Sequence, residues 1–488
     1  MRKPTVMTLW LWLGALQGGP AIADVEPRQS GLAPHTRLQS LAELDEQPAA
    51  SRDLKIHGWK SPSGGKVLFI RTTQLPMFDL HVSFAAGSTQ DGAYPGLAAA
   101  TLSLLNEGVP GKDLTAILET FDDVGARLGM SIRHDRAAMS LRSLTAIEKR
   151  DPALYLFGQI LGKPLLTEQA LVHVKNELTD LLKSRQQNAA LQALNTHLLG
   201  VHPYAQFVYG TEKGVAALSR ERVQTFHRQA YSAANAQITL VGDLTLEQAQ
   251  AISLQVLDAL PPGSRMPPVA PVARRQGNGT SQHIEGAGSQ MQILLGQPGL
   301  IRAHPDYIAL RVGHMIFGGE NSSSRLMTEL REQRGLTYTA QLNTTLWQAA
   351  SNTVINLKTS PQFSEGVVTR VQSMYRDYAQ TGPTQQELDN TLRQLRSSAA
   401  LNSASNAQIL ARLVDINQYD LPLDLDFSIE QAQKLTVEQV KAALNRHLSA
   451  VQWTVVTEGP SVAQQPLPLP APETSKGMCR AETGFVAS

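Results

Sequence analysis

A set of positions recurs at one fixed separation, and that recurrence restricts the fold more than any other feature of the chain. Leu218-Ser219, Val223, Tyr231, Ile238 and Gly242 are answered by Leu435-Thr436, Val440, Leu448, Val455 and Gly459, each pair 217 residues apart (435 − 218 and 459 − 242). In the first copy the serine suits a helix N-cap, Val223 lies on the buried side of the helix that follows, and Ile238 and Leu240 mark a strand that leaves through glycine. The fronts of the copies correspond as well, since a strand at 78–84 or 291–295 precedes a helix at 97–105 or 307–317. Two copies are too few for a solenoid, so the repeat implies two related tandem domains.

Within each copy the pattern is mixed. Val67, Phe69, Phe78, Leu80, Val82 and Phe84 alternate with other residues at period two, as in strands with one buried face, and helices of ten to twenty residues come between such runs. This predicts an α+β fold of two tandem homologous halves, each a layered unit with helices packed on a mostly antiparallel sheet. The halves span 66–259 and 283–460. A connection at 260–282 is rich in proline and glycine, five and three of them within 260–280, and cannot build a core. A polar linker is expected at 24–65 and a flexible tail at 461–488.

The first residues read as an address. Arg2 and Lys3 precede an apolar stretch at 6–16 that is too short to span a bilayer, and Ala21-Ile22-Ala23 is a small-residue cleavage site, so 1–23 is expected to be a signal peptide. No later run reaches the length of a membrane helix. The mature chain is therefore expected to be exported, to the periplasm if the source is a Gram-negative bacterium. A net charge of +1, from 43 basic and 42 acidic residues, gives no reason to expect nucleic acid or an anionic membrane surface as partner. The single cysteine, Cys479, cannot form an intramolecular disulfide.

The most specialised stretch is FGGENSSSRLMTELREQRGLTY at 317–338. Gly318-Gly319 allows a sharp turn, the run Asn321-Ser322-Ser323-Ser324 can cap a helix, and Leu326 and Leu330 give that short helix one apolar face. Gly335 offers a left-handed cap, after which a strand is expected to carry Tyr338. Arg331 and Tyr338 thus flank one tight turn. Taken alone they read as a helix-end charge beside Glu329 and Glu332 and a strand aromatic.

The spacing Gly-Gly, Ser-Arg-Leu, Leu-Arg-Glu, Arg-Gly-Leu, Tyr in this stretch resembles the C-terminal half of the pitrilysin/insulinase peptidases, the inverzincins. The resemblance covers roughly residues 66–459. It implies that Arg331 and Tyr338 contact the substrate backbone and that the two halves close together as a clamp around a chamber. It also implies a zinc-binding H-x-x-E-H helix after Gly96-Leu97-Ala98, because two histidines four apart on one helical face can hold zinc with a glutamate as general base. Those three positions are Ala99, Leu102 and Ser103, none of which ligates zinc or moves a proton. Glu177 matches the third family ligand but is isolated. His173 with Glu177 supplies at most two ligands, and His197 and His202 have no acidic residue between them. Nucleophile-elbow, phosphate-loop and Cys-x-x-Cys motifs are absent from the sequence.

A substrate-holding pair without a metal motif matches one subunit of the family's two-subunit bacterial peptidases. The resemblance therefore implies the non-metal, substrate-binding subunit of a heterodimeric zinc peptidase, inactive alone. It would hold no cofactor of its own; the zinc is expected in a homologous metal-bearing partner, and a peptide is the expected substrate. A non-enzymatic scaffold or assembly protein derived from the same fold is the alternative.

Overall fold

The computed structural model describes residues 54–184, 189–272, 279–320, 323–448 and 453–471. The expected signal peptide at 1–23, most of the expected linker at 24–65, and Cys479 lie outside them.

The first half is a six-stranded sheet of β1 (Ile56–Lys60), β2 (Lys66–Arg71), β3 (Met77–Phe84), β4 (Arg127–Ile132), β5 (Ala137–Leu144) and β6 (Ala236–Gly242), in the order β1-β2-β6-β3-β5-β4. The second has β7 (Ser281–Glu285), β8 (Met291–Pro298), β9 (Ala340–Leu346), β10 (Ser351–Thr359) and β11 (Thr454–Gly459), in the order β7-β11-β8-β10-β9. Leaving out β1, the two orders coincide strand for strand. β2 runs parallel to β6 and β7 parallel to β11, while the remaining pairs are antiparallel. The last strands both leave through a glycine at φ 153°, Gly242 and Gly459. At Gly242 a side chain is excluded, because a Cβ would lie 2.4 Å from Phe78 Cα.

The helices repeat in the same sequence. The principal ones of the first half are α1 (Leu97–Leu104), α2 (Ile147–Gly162), α3 (Glu168–Ser184), α4 (Ala189–Leu199), α5 (Arg220–Ala230) and α6 (Leu246–Ala259). Those of the second are α7 (Tyr307–Gly318), α8 (Ser364–Thr381), α9 (Gln385–Leu401), α10 (Asn406–Tyr419) and α11 (Val437–Leu448). In the first half α1, α2, α3, α5 and α6 build the main core on one sheet face, around Phe78, Leu80, Phe84, Phe157 and Tyr231. In the second, α7, α8 and α11 do so around Phe317, Leu330, Ile355, Tyr375 and Tyr378.

The opposite sheet faces are covered by exchange. Helix α4 leaves the first half and lies on β8 and β11, where Leu194, Leu198 and Leu199 bury themselves with Leu294, Val456 and Trp347. Helix α10 makes the reverse journey onto β6, β3 and β2, with Ile409, Leu413 and Ile416 against Leu68, Ile70 and Val241. Polar contacts fix both crossings. Glu458 accepts from Ala190 N in the first turn of α4 at 3.0 Å, and the buried Asn417 donates to Ile238 O at 2.9 Å. At roughly 2 kcal/mol for each fully buried aliphatic side chain, the exchange is a large part of what joins the halves.

Three segments depart from the sequence expectations. The expected linker at 24–65 contains β1, an edge strand whose half-buried Trp59 packs on the first core. The connection at 260–272 is tied to the first half, with Arg265 donating to Ala234 O and Gly64 O and Gln90 to Pro267 O; β7 begins inside the expected span, at Ser281. Residues 461–471 of the expected flexible tail are docked along the second half, because hydrogen-bond partners and a cleft for Leu467 await them there.

Candidate functional site

The segment carrying Arg331 and Tyr338 is built as a braced turn. Ser324 caps the helical entry by accepting from Met327 N at 3.4 Å. One turn of α-helix, Arg325–Met327, then widens into a π-helical turn at Thr328–Gln333, where a short regular helix was expected. Such widening is frequent at functional sites and lets Leu326 and Leu330, both fully buried, reach the core while Arg331 faces solvent. Gly335 has the expected left-handed conformation, φ 62°, and donates to Arg331 O at 3.0 Å; Leu336 N reaches Leu330 O at 2.7 Å. The next strand, β9, starts at Ala340, so Tyr338 stands in the loop before it and not on the strand. The reason is local: Thr337 Oγ1 donates to Thr339 O at 2.8 Å, and Leu336 O accepts from Thr359 Oγ1 at 2.8 Å, which bends the chain before pairing begins.

Electrostatics brace the same turn. Glu329 accepts from Arg334 Nε at 2.7 Å and from Arg370 Nε at 2.8 Å. Burial alone would raise its pKa, but the two guanidinium groups hold the carboxyl below the usual range. Arg325 forms a two-pronged pair with Glu387, both contacts 2.7 Å, and stacks over Tyr378. Against this fixed background Arg331 and Tyr338 project outward. Tyr338 is 82% exposed, and neither side chain has a hydrogen bond among the described residues.

Helix α1 is the opposite case. Asp91 caps it by accepting from Gly96 N and Ala98 N, each at 2.7 Å, and burial pushes the Asp91 carboxyl up to about 7 against those bonds. Ala99 and Leu102 are buried in the first core and Ser103 is half-buried, with α3 and α5 packed alongside. Glu177 on α3 is exposed and, among the described residues, pairs with His173 at 3.3 Å. His197 bonds Gln282 at 2.8 Å, and His202 bonds Ala270 O at 3.0 Å, so these two serve the crossing helix and the connection. His304, Asp306 and His447 do converge, but the Asp306 carboxylate already receives Arg446 and His447. A guanidinium on that oxygen opposes a cation there, and the cluster serves as an ion pair at the start of α7.

Sequence reasoning missed a cavity of about 520 Å³ between the halves, lined by His81, Arg133, His134, Asp135, Arg136, Trp347 and Tyr419 among others. Asp135 accepts from Tyr204 OH at 2.6 Å and from Gln348 N at 2.9 Å, joining the two halves beside it. Burial, with Arg136 and Arg133 nearby, lowers His81 to about 4. The His-Asp-Arg run at 134–136 matches no motif, so only the folded arrangement reveals it.

Two matched halves closed by exchanged helices, one with Ala99 and Leu102 packed into its core and the other with a braced turn under Arg331 and Tyr338, are the architecture of a peptidase-like protein. The family described as peptidase M16 inactive domain matches residues 217–395. The crystal structure of a peptidase M16 inactive domain from Pseudomonas fluorescens is 42% identical, covers 85% of this chain and 100% of its own, and superposes with a TM-score of 0.81. The non-peptidase homolog YmxG of Helicobacter pylori is 23% identical over 389 residues, 78% of this chain and 88% of that protein. The periplasmic protease PqqL of Escherichia coli shares the fold at TM-score 0.69 and 15% identity, over 85% of this chain and 47% of its own. The chain belongs to the peptidase M16 family, as an inactive, non-catalytic member, in agreement with the pitrilysin/insulinase resemblance. Among the described residues, no helix is long and apolar enough to cross a membrane.

Proposed function

We propose that this chain is the non-metal, substrate-binding subunit of a heterodimeric zinc metallopeptidase acting in an exported compartment, and that it presents Arg331 and Tyr338 to a peptide held at a homologous partner's zinc. The carrying observation is the exposed Arg331/Tyr338 pair, without a hydrogen bond among the described residues, on a turn braced by the Glu329 pairs with Arg334 and Arg370. Binding residues concentrate on loops held by a rigid scaffold, and the braced turn under Arg331 and Tyr338 is such a loop. Arginine offers a rigid fork of charged donors and tyrosine a directional hydroxyl, both suited to substrate carbonyls or a developing oxyanion. The filled metal positions Ala99, Leu102 and Ser103 fit a division in which the partner's zinc activates water. The basic and apolar run at 1–23 supports export.

The test is hydrolysis by the reconstituted pair. Arg331→Ala and Tyr338→Phe should leave association intact, as judged by size-exclusion chromatography. Each should lower kcat/KM by about 10²-fold, the effect of removing one preorganised donor, roughly 3 kcal/mol. Unaltered kinetics in both variants would leave the scaffold as the better reading.

A further inference from the structure

Residues 461–471 follow β11 as an extended strap with prolines at 466, 468 and 470. Its start is pinned by Ser461, whose Oγ donates to Glu285 at 2.6 Å. Gln464 then reads the entrance of α8: its Nε2 donates to Pro361 O at 3.0 Å, while its Oε1 accepts from Glu365 N at 3.1 Å and Ser364 Oγ at 3.3 Å. Gln465 N donates to Gln362 O at 2.8 Å. Leu467 lies over Gly366, where a Cβ would come within 2.8 Å of it, so the helix surface is hollowed to receive this side chain. The strap ends on the functional turn. Arg334 Nη1 donates to Pro468 O and Ala471 N donates to Gln333 O, both at 2.6 Å. These are the last π-turn residue and its successor, between Arg331 and Gly335, and Arg334 at the same time holds Glu329.

We propose that the strap is the positioning element of the Arg331/Tyr338 turn: its docking on α8 holds the π-turn in shape, and its release loosens the pair. The physical basis is preorganisation. Three prolines restrict the strap before it docks, so little entropy is lost when two further hydrogen bonds are placed on a turn already held by its core leucines and by the Glu329–Arg370 pair. The significance of that control for peptide contact rests on the function proposed above; the mechanical coupling does not.

Hydrogen–deuterium exchange of the full-length chain tests it. Gly366→Leu fills the hollow under Leu467 while favouring the helix, and a second variant deletes 461–488. The expected result is loss of protection at Gln465 and Ala471 in Gly366→Leu, and in both variants exchange about tenfold or more faster at Gly335 and Leu336, with the amides of β8 and β10 unchanged. Unchanged protection at Gly335 and Leu336 in the deletion overturns the proposal. So does a uniform rise across the second half, which would make the strap a general support. The two proposals fail separately. Faster exchange together with an inert Arg331→Ala leaves the coupling and removes the peptide role; a disabling Arg331→Ala with unchanged exchange does the reverse.

Discussion

The two halves have the same strand order and the same succession of helices, yet they differ in two matched places. Where the first half has α1 with Ala99 and Leu102 packed into its core, the second has α7 leading into an open, charged turn. Where the first half follows its last strand with α6, the second follows its last strand with the proline strap. Both α6 and the strap lie against the equivalent helix, α2 in one half and α8 in the other. The difference teaches how a duplicated frame diverges. In one copy the helix is absorbed into packing, as Ala99 and Leu102 show, whereas in the other the turn keeps exposed side chains and gains bracing around them.

The sharpest challenge to that contrast is to rebuild the metal helix. Ala99→His, Leu102→Glu and Ser103→His together should lower stability by about 4 kcal/mol or more, since Leu102 is 4% exposed and its replacement buries an uncompensated carboxylate. Thermal melts and metal analysis decide it; a native melting temperature with one bound zinc would show that α1 had kept room for the site. Next in size are the crossing helices. Leu194→Ala on α4 and Leu413→Ala on α10, both fully buried, should each cost about 3 kcal/mol in urea unfolding and act in a single transition. Two separate transitions would mean that the halves are more independent than their exchange implies.

Smaller effects separate α6 from the strap. Thr245 caps α6 through a reciprocal pair with Gln248, so Thr245→Ala should lower global stability by about 1 kcal/mol, while cutting at 461 should change the global midpoint less than local exchange. The smallest effect near neutral pH is titration. Burial lowers His314 to about 3 in the second core and His81 to about 4 in the cavity. A histidine held neutral contributes stability that is fully present above its unfolded value, about 6.5, and lost as pH falls from there toward the folded value. Urea midpoints should therefore decline from about pH 6.5 downward, the two histidines outweighing Asp91, whose raised carboxyl acts in the opposite sense, and His314→Gln should flatten the decline.

Much of this frame is legible in the sequence, because the 217-residue spacing and the period-two runs are local facts. The Ser324 cap and the left-handed Gly335 are legible for the same reason. The π-turn is not, since it arises when Leu326 and Leu330 are drawn into one core. Nor is the release of Tyr338 from β9, which depends on Thr359, some twenty residues away. The strap reads as a flexible tail because the hollow that receives Leu467 is at Gly366, a hundred residues earlier. Amphipathic helices such as α4 and α10 announce an apolar face but not which sheet it will cover.

That exchange of helices has a mechanical consequence. A hinge between the halves would have to pull α4 off β8 and β11 and α10 off β6 at once, exposing both apolar sets to water, so domain opening inside this chain is costly. The two halves then move together. If the chain pairs with a metal-bearing subunit as proposed, the breathing that admits a peptide falls at the seam between the two, and the rate of substrate entry becomes a property of that seam.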